Sequence, residues 1–443
     1  MKRYLASLLL TYFRLLAQLQ LKKTSPTVIG ITGSAGKTSA LQACEAVLTG
    51  HFKLKVSHKA NSESGIPLDI LGLHPKGFSA AEWLRLAVLA PVQLLTNWQS
   101  YDIYLTELGV DSPDEPKNMT YLLKIIQPRI GIFLNAQPVH SEAFDVKLDK
   151  TDPATRKQKL TGLIAQEKGQ LIKSLTKHGL AILNADDPAV IQFKSKTAAK
   201  TLTFGKKNNP DIKVTSYQLS PSGTSFSFAY RQTLGQISLA GFLLPESYGY
   251  TFGAAIGCGI SQGIGLPEAC SQLTKCFKLP PGRASLIAGI NQSKIIDSSY
   301  NSSPQPVLDM LQLLATIPAK RRLALLGDMR ELGSITQEEH QKIAQIAAKK
   351  ADQVVLVGPL MKKFALPILA ASQTPTKWFF SASQAANYLQ TRLQPEDLLL
   401  IKASQNTLLF EIAVEALMAT PDQADQLLCR RGKYWDSQRA KLK

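Results

Sequence analysis

Acidic side chains are scarce. The chain has 33 Asp and Glu against 51 Lys and Arg, a formal charge of +18 over 443 residues. Such a balance suits an anionic substrate, an anionic membrane surface or nucleic acid. Nucleic acid is disfavoured, because no basic cluster is interleaved with aromatics in the way that reads single strands. The five cysteines (Cys44, Cys258, Cys270, Cys276, Cys429) form no CxxC pair. That argues against a zinc site or disulfide frame and for reduced thiols in the cytosol. Repeats and low-complexity blocks are absent, and 44% apolar against 19% charged residues excludes a disordered chain. A clean membrane span is missing too. Met1–Leu21 is greasy but carries Arg14 at its centre, and no small-residue cleavage site follows it.

What is present is a phosphate loop. Residues Gly30 to Ser39 read GITGSAGKTS, after the apolar run Val28–Ile29 and before a helical stretch from Ala40 to Leu48. Glycines let the backbone turn its N–H groups onto a polyanion, and the helix N-terminus behind them adds positive partial charge. Gly33, Ser34, Ala35, Gly36, Lys37, Thr38 and Ser39 are the expected ATP-binding run, with Lys37 on the outer phosphates and the Thr38 hydroxyl on magnesium. No Asn-Lys-x-Asp base-reading motif accompanies it, which disfavours a GTPase.

The rest of the chain reads as α/β: a central P-loop domain with a parallel sheet, and a C-terminal Rossmann-like α/β domain. The expected organisation is an apolar N-terminal helix at 1–24 and a central ATP-binding domain at 25–281. That domain carries a helical insertion at 78–99 and a small β region at 212–244. A C-terminal domain at 282–420 and a basic tail at 421–443, helical or mobile, complete it. In the first helix Ser7, Thr11, Arg14 and Gln18 form one narrow polar stripe. Two readings stand for it: a helix lying in the membrane interface, or one docked on the protein. The insertion, with Trp83, Leu84, Leu86, Leu89, Leu94, Leu95 and Trp98, either joins it at a membrane or packs on the core.

Ligands of open α/β sheets lie beyond the carboxyl ends of the strands. Glu107 follows the run Ile103–Leu105, and His140 lies in the stretch after Ile130–Leu134. The first is a hard oxygen ligand for magnesium, and the second can serve another metal position.

These residues, with Asn61-Ser-Glu-Ser-Gly65-Ile-Pro67, Asn184-Ala-Asp186-Asp187-Pro188, Gly282-Arg283, Asp297-Ser-Ser-Tyr300-Asn301-Ser-Ser-Pro304 and Gly327-Asp328-Met329-Arg-Glu331-Leu332-Gly333, carry a family likeness. From about Val28 to Leu417 the chain resembles the Mur ligases, the ATP-dependent amide-forming enzymes of peptidoglycan precursor synthesis. Within them it is most like the D-alanyl-D-alanine-adding branch. The resemblance implies ATP, two magnesium ions and an acyl-phosphate mechanism. It places Thr38 and Glu107 on the first metal, and His140 with a carbamylated Lys168 on the second. Arg283 and Asp297 become nucleotide contacts, and Asn61, Tyr300 and Asn301 substrate contacts, while His340 is expected to be structural. The implied partners are a muramyl-peptide acceptor and an amino-acid or dipeptide amine. The expected protein is a cytoplasmic monomer, at most peripheral on the inner membrane face.

Departures qualify this. About 25 residues precede the phosphate-loop strand, too few for the family's uridine-nucleotide-binding domain. Ser247, Tyr248 and Thr251 stand where a His-Asn pair and a later Asn are usual. Lys402-Ala-Ser-Gln405 replaces Lys-Gly-Ser-Arg. Two alternatives therefore stay open: a ligase for a non-murein peptide product, and a non-catalytic nucleotide-binding scaffold at the membrane.

Overall fold

The computed structural model describes residues 2–58, 60–77, 79–139, 141–148, 153–404 and 408–440. The chain divides into two compact units. The first comprises Met1–Thr215, Ser227–Ile237 and Gly249–Lys278; the second comprises Ser216–Phe226, Ser238–Tyr248 and Leu279–Lys443.

One nine-stranded sheet is formed by β1 (Thr27–Thr32), β2 (Leu54–Val56), β3 (Ile103–Glu107), β4 (Ile130–Phe133), β5 (Leu180–Asn184), β6 (Lys200–Gly205), β7 (Ile212–Ser220), β8 (Gly223–Tyr230) and β9 (Thr233–Ala240). Its order is β2-β3-β1-β4-β5-β6-β7-β8-β9, parallel from β2 through β7. Strands β1, β3 and β4 are short apolar runs with nearly every residue buried, as helices on both faces of a parallel sheet require. From β1 the chain builds β2 and β3 on one side and then crosses from β3 to β4 on the other side of β1, so the crevice at the carboxyl end of β1 is a topological switch point. The stretch 212–244 holds β7–β9, which continue this sheet from β6.

Helix α1 (Lys2–Thr24) docks on the first unit, as one of the two readings had it. Phe13 forms an apolar cluster with Leu68, Leu71, Leu86 and Ala90, drawn from α3 (Gly65–Leu71) and α4 (Ala80–Thr96). Between α1 and α3 in the chain lies α2 (Lys37–Leu48). Pro91 inside α4 has no N–H to give the Ala87 carbonyl, and the Tyr12 hydroxyl of α1 donates to that carbonyl instead, at 2.9 Å. At the end of α4, Lys23 donates to the carbonyls of Leu94 (2.7 Å) and Asn97 (2.9 Å), groups that a helix end leaves without a partner. Among the described residues no helix is long and apolar enough to cross a membrane. Further along come α5 (Met119–Ile125), α6 (Glu142–Asp145) and α7 (Pro153–Lys168).

The second unit holds β10 (Ser285–Ala288), β11 (Lys294–Ser298), β12 (Arg321–Gly327), β13 (Gln353–Val357), β14 (Thr376–Phe379) and β15 (Asp397–Lys402), in the order β10-β11-β15-β12-β13-β14. Only the edge strand β10 runs antiparallel to its neighbour. The tail is helical at 424–427 and 433–440, and its first part belongs to the core: Ala424 and Leu428 pack with Phe410, Val414 and Leu417. Arg430 is buried with Glu411, Nη1 to Oε2 at 3.0 Å, and also donates to the carbonyl of Tyr300.

Candidate nucleotide and metal site

The phosphate loop is built by close approach and cross-stitching. A side chain at Gly33 would place its Cβ 3.0 Å from Leu134 Cβ, and Gly36 has a left-handed φ of 83°. The loop after β4 fastens it. Asn135 accepts from the Ala35 N–H (2.9 Å) and donates to the Ala35 carbonyl (3.0 Å), and the Ser34 N–H donates to the Asn135 carbonyl (3.0 Å). The Ser34 hydroxyl accepts from the Gln137 N–H and donates to its carbonyl, both at 2.8 Å. Gly36 is the N-cap of α2 and has no side chain to cap the helix. An α-helix leaves its first N–H groups without intrahelical partners, so a phosphate can take them. Lys37 and Thr38 open that helix, and the Lys37 ammonium donates back to the Gly33 carbonyl at 2.8 Å.

The β4 loop is itself held from below. Asn184 donates to the Leu134 carbonyl (2.8 Å), while Asp187 accepts from the Ala136 N–H (2.9 Å) and caps the next helix through Ala189 N–H. The Asn184–Pro188 run is thus a brace for the loop.

Glu107 ends β3 in register with Ile31 of β1, and it is almost fully buried. Two residues on, the Gly109 N–H donates to the Asn61 carbonyl at 2.9 Å, and a Cβ at Gly109 would lie 2.9 Å from that oxygen. Asn61 therefore lies beside the β3 end, in the neighbourhood of Glu107.

Lys168 closes α7 and is 3% exposed. Burial, then the nearby Lys37 charge, pull its pKa down to about 7, against the opposing effect of Asp111 and Glu167. Among the described residues no hydrogen bond or ion pair engages its ammonium. Glu167 accepts from the Met119 N–H at 2.8 Å. His140 lies outside the described residues.

The second unit gathers Arg283, Asp297, Tyr300 and Asn301. The Arg283 guanidinium lies 4.5 Å from the Tyr300 ring centroid, and its buried Nε meets no hydrogen-bond partner among the described residues. Asp297 is fully buried and accepts from the Ser299 N–H at 3.0 Å; burial raises its pKa to about 6 against that bond. Lys402 at the end of β15 donates to Ser298 Oγ (3.1 Å) and the Asn301 carbonyl (2.9 Å). Burial and the Arg283 charge lower its pKa to about 7. His340 is structural in geometry: Nε2 accepts from the Met329 N–H (3.1 Å) and Nδ1 lies 2.7 Å from the Thr336 carbonyl, so both nitrogens are engaged.

Sequence reasoning did not single out Asp111, and it read Lys402 only as the first residue of Lys402-Ala-Ser-Gln405, without foreseeing its burial. Lys402 had a usable signal, a charged residue ending a run of buried apolar strand positions; Asp111 had none.

Residues 31–242 match the Mur ligase middle domain, and residues 282–405 match the Mur ligase glutamate ligase domain. The chain belongs to the Mur ligase family. It is 27% identical over 399 residues to the UDP-N-acetylmuramoyl-tripeptide–D-alanyl-D-alanine ligase of Synechocystis, covering 89% of this chain and 75% of that one. The enzyme of the same name from Escherichia coli is 26% identical over 339 residues, 75% of this chain and 64% of the relative. Among solved structures, MurF ligase from Thermotoga maritima in complex with ADP superposes with a TM-score of 0.75 at 22% identity, over 94% of this chain and 84% of that one. MurF from Acinetobacter baumannii gives 0.73 at 21%, over 92% and 79%.

Proposed function

We propose that the chain is an ATP-dependent carboxylate–amine ligase of peptidoglycan precursor synthesis, adding a dipeptide such as D-alanyl-D-alanine to a muramyl tripeptide. The observation that carries this is the stitched phosphate loop with two buried side chains of opposite character nearby, Glu107 at the tip of β3 and a lysine of depressed pKa at the end of α7. The named relatives support the choice of substrates. In this reading the loop and Lys37 hold the phosphates of ATP, and a substrate carboxylate oxygen attacks the terminal phosphorus. ADP leaves, the incoming amine adds to the acyl carbon, and phosphate departs with the new amide formed.

The donor set fits magnesium. The Thr38 hydroxyl and the Glu107 carboxylate are hard oxygen ligands, and no cluster of three His, Cys, Asp or Glu exists among the described residues. Oxygen from the nucleotide would complete that coordination, and a modified Lys168 would serve the second ion. Bound magnesium would neutralise the charge that gathers as carboxylate and triphosphate meet. Lys168 is suited to that modification. Its ammonium gives up one proton, and the neutral amine adds to the carbon of CO2 and gives up a second, so that a cation becomes a carbamate anion. We assign His140 to the second metal, Arg283 and Asp297 to the nucleotide, and Asn61, Tyr300 and Asn301 to substrate. Residues 25–281 and 282–420 are taken as the two catalytic domains. We further place the protein on the cytoplasmic side as a monomer, at the inner face of the membrane.

The test is product formation followed by mass spectrometry, with ATP, D-alanyl-D-alanine and muramyl tripeptides with and without the uridine nucleotide. An amide product with stoichiometric ADP is expected. Nucleotide binding with no product from any acceptor would mark a scaffold instead.

A further inference from the structure

Helices α1 and α4 carry apolar stripes that face outward. On α1 these are Leu8, Leu15 and Leu19, each about half exposed; on α4 they are Leu84 (68% exposed), Val88, Val92 and Leu95 (73%). Spacings of seven and four, then four, four and three, put each set on one side of its helix, opposite the buried Phe13 and Ala17 and the buried Leu86 and Ala90. The helices lie side by side and run the same way, since Tyr12 meets Ala87 while Gln20 and Lys23 meet Asn97. Two residues of the polar stripe of α1 reach α5: Gln18 donates to the Lys124 carbonyl (2.5 Å), and Arg14 lies 5.3 Å from the Tyr121 ring centroid. A surface helix ordinarily shows its polar face to water; here the outer face is leucine and valine.

Charge selects the occupant. Residues 2–24 hold no acid, and besides Arg14, which lies toward α5, they carry Lys2, Arg3, Lys22 and Lys23. The one acid of α4, Glu82, is tied to Arg85 at 2.6 Å. At the shared end, the Lys23 ammonium sits 3.7 Å from the centroid of Trp98, a ring that is 74% exposed. Lysine with tryptophan at the edge of an apolar face is the pairing of a membrane interface. A second copy docking here would set like charges together, whereas an anionic lipid surface answers them.

We infer that the α1–α4 ridge is a membrane-docking surface that lies in the headgroup region of an anionic bilayer. The inference rests on the membrane-side placement above, and it is independent of the ligase chemistry. The test is co-sedimentation of the full chain with phosphatidylcholine vesicles, with and without phosphatidylglycerol. Binding is expected to the anionic vesicles and to weaken with salt. Leu84→Gln with Leu95→Gln should lower the bound fraction at least about tenfold, and Lys22→Glu should weaken binding further. The melting temperature and ATP turnover in solution should not change. Failure of the native chain to bind anionic vesicles overturns both the ridge and the membrane-side placement. Binding that survives the double substitution overturns the ridge alone. A dimer in light scattering that the same substitutions dissolve would give the face to a second copy and overturn the lipid assignment.

Discussion

Among the described residues each unit buries one lysine at an element end, and the two have different surroundings. Lys168 in the first unit and Lys402 in the second are both nearly inaccessible, and both have pKa values pulled down to about 7 by burial and a neighbouring cation. Lys402 is caught: its ammonium serves Ser298 and the Asn301 carbonyl, so it pins the loop after β11 to β15. Lys168 has no such engagement among the described residues. Desolvation alone therefore does not mark a reactive amine. On the reading proposed above, Lys168 would take up CO2 and Lys402 would not, and the difference would lie in whether the nitrogen already serves as a donor.

The largest effect expected from testing this contrast is on turnover. Lys37→Ala and Lys168→Ala should each lower ligase activity at least ~100-fold. Short carboxylates such as acetate should restore part of the Lys168→Ala loss and none from Lys402→Ala. Carbon-13 NMR with labelled CO2 should show one carbamate, lost with Lys168→Ala; a carbamate that persists would break the contrast.

Next in size is stability. The second unit commits its buried charges, so Glu411→Gln should cost ~3–5 kcal/mol in urea unfolding by leaving Arg430 buried without its countercharge.

A smaller effect comes from pH, with opposite signs at two groups. The unfolded chain protonates a lysine near pH ~10.4, so between about 7 and 10 it binds the proton that folded Lys168 has lost. Stability from this residue rises with pH across that window and is lowest below it. Lys168→Met should raise the melting temperature most near pH ~6 and little near pH ~10. Asp297 is the reverse: its folded pKa of about 6 lies above the unfolded value, so its contribution is present at low pH and lost as pH rises through 6. Asp297→Asn should stabilise above that window and not below pH ~4. The smallest change is Ser298→Ala, which leaves Lys402 one acceptor and should cost about 1 kcal/mol.

Much of the first unit was legible because its chemistry is local. A glycine turn between an apolar strand and a helix declares itself in ten residues, and the burial of Glu107 at the end of β3 fits a strand of apolar residues. The second sheet was read less fully. Its strands at 294–298, 321–327, 353–357 and 397–402 are buried apolar runs, but β10 and β14 are four-residue edges with half-exposed positions, too short to show a period. The inward turn of Arg14 and Gln18 was not readable either. A polar stripe says which side of a helix differs, and only the partner α5 decides which side faces water. Tyr12 filling the carbonyl that Pro91 leaves open joins residues 75 apart, a pairing no local pattern reveals.

The buried end of the tail has a genetic consequence. Ala424, Leu428 and Arg430 lie beyond every motif that identifies the family, yet they complete the apolar core and the charge pairing of the second unit. A premature stop codon just after residue 420 would spare each signature residue and still yield a null allele, scored as intact by anyone who counts motifs.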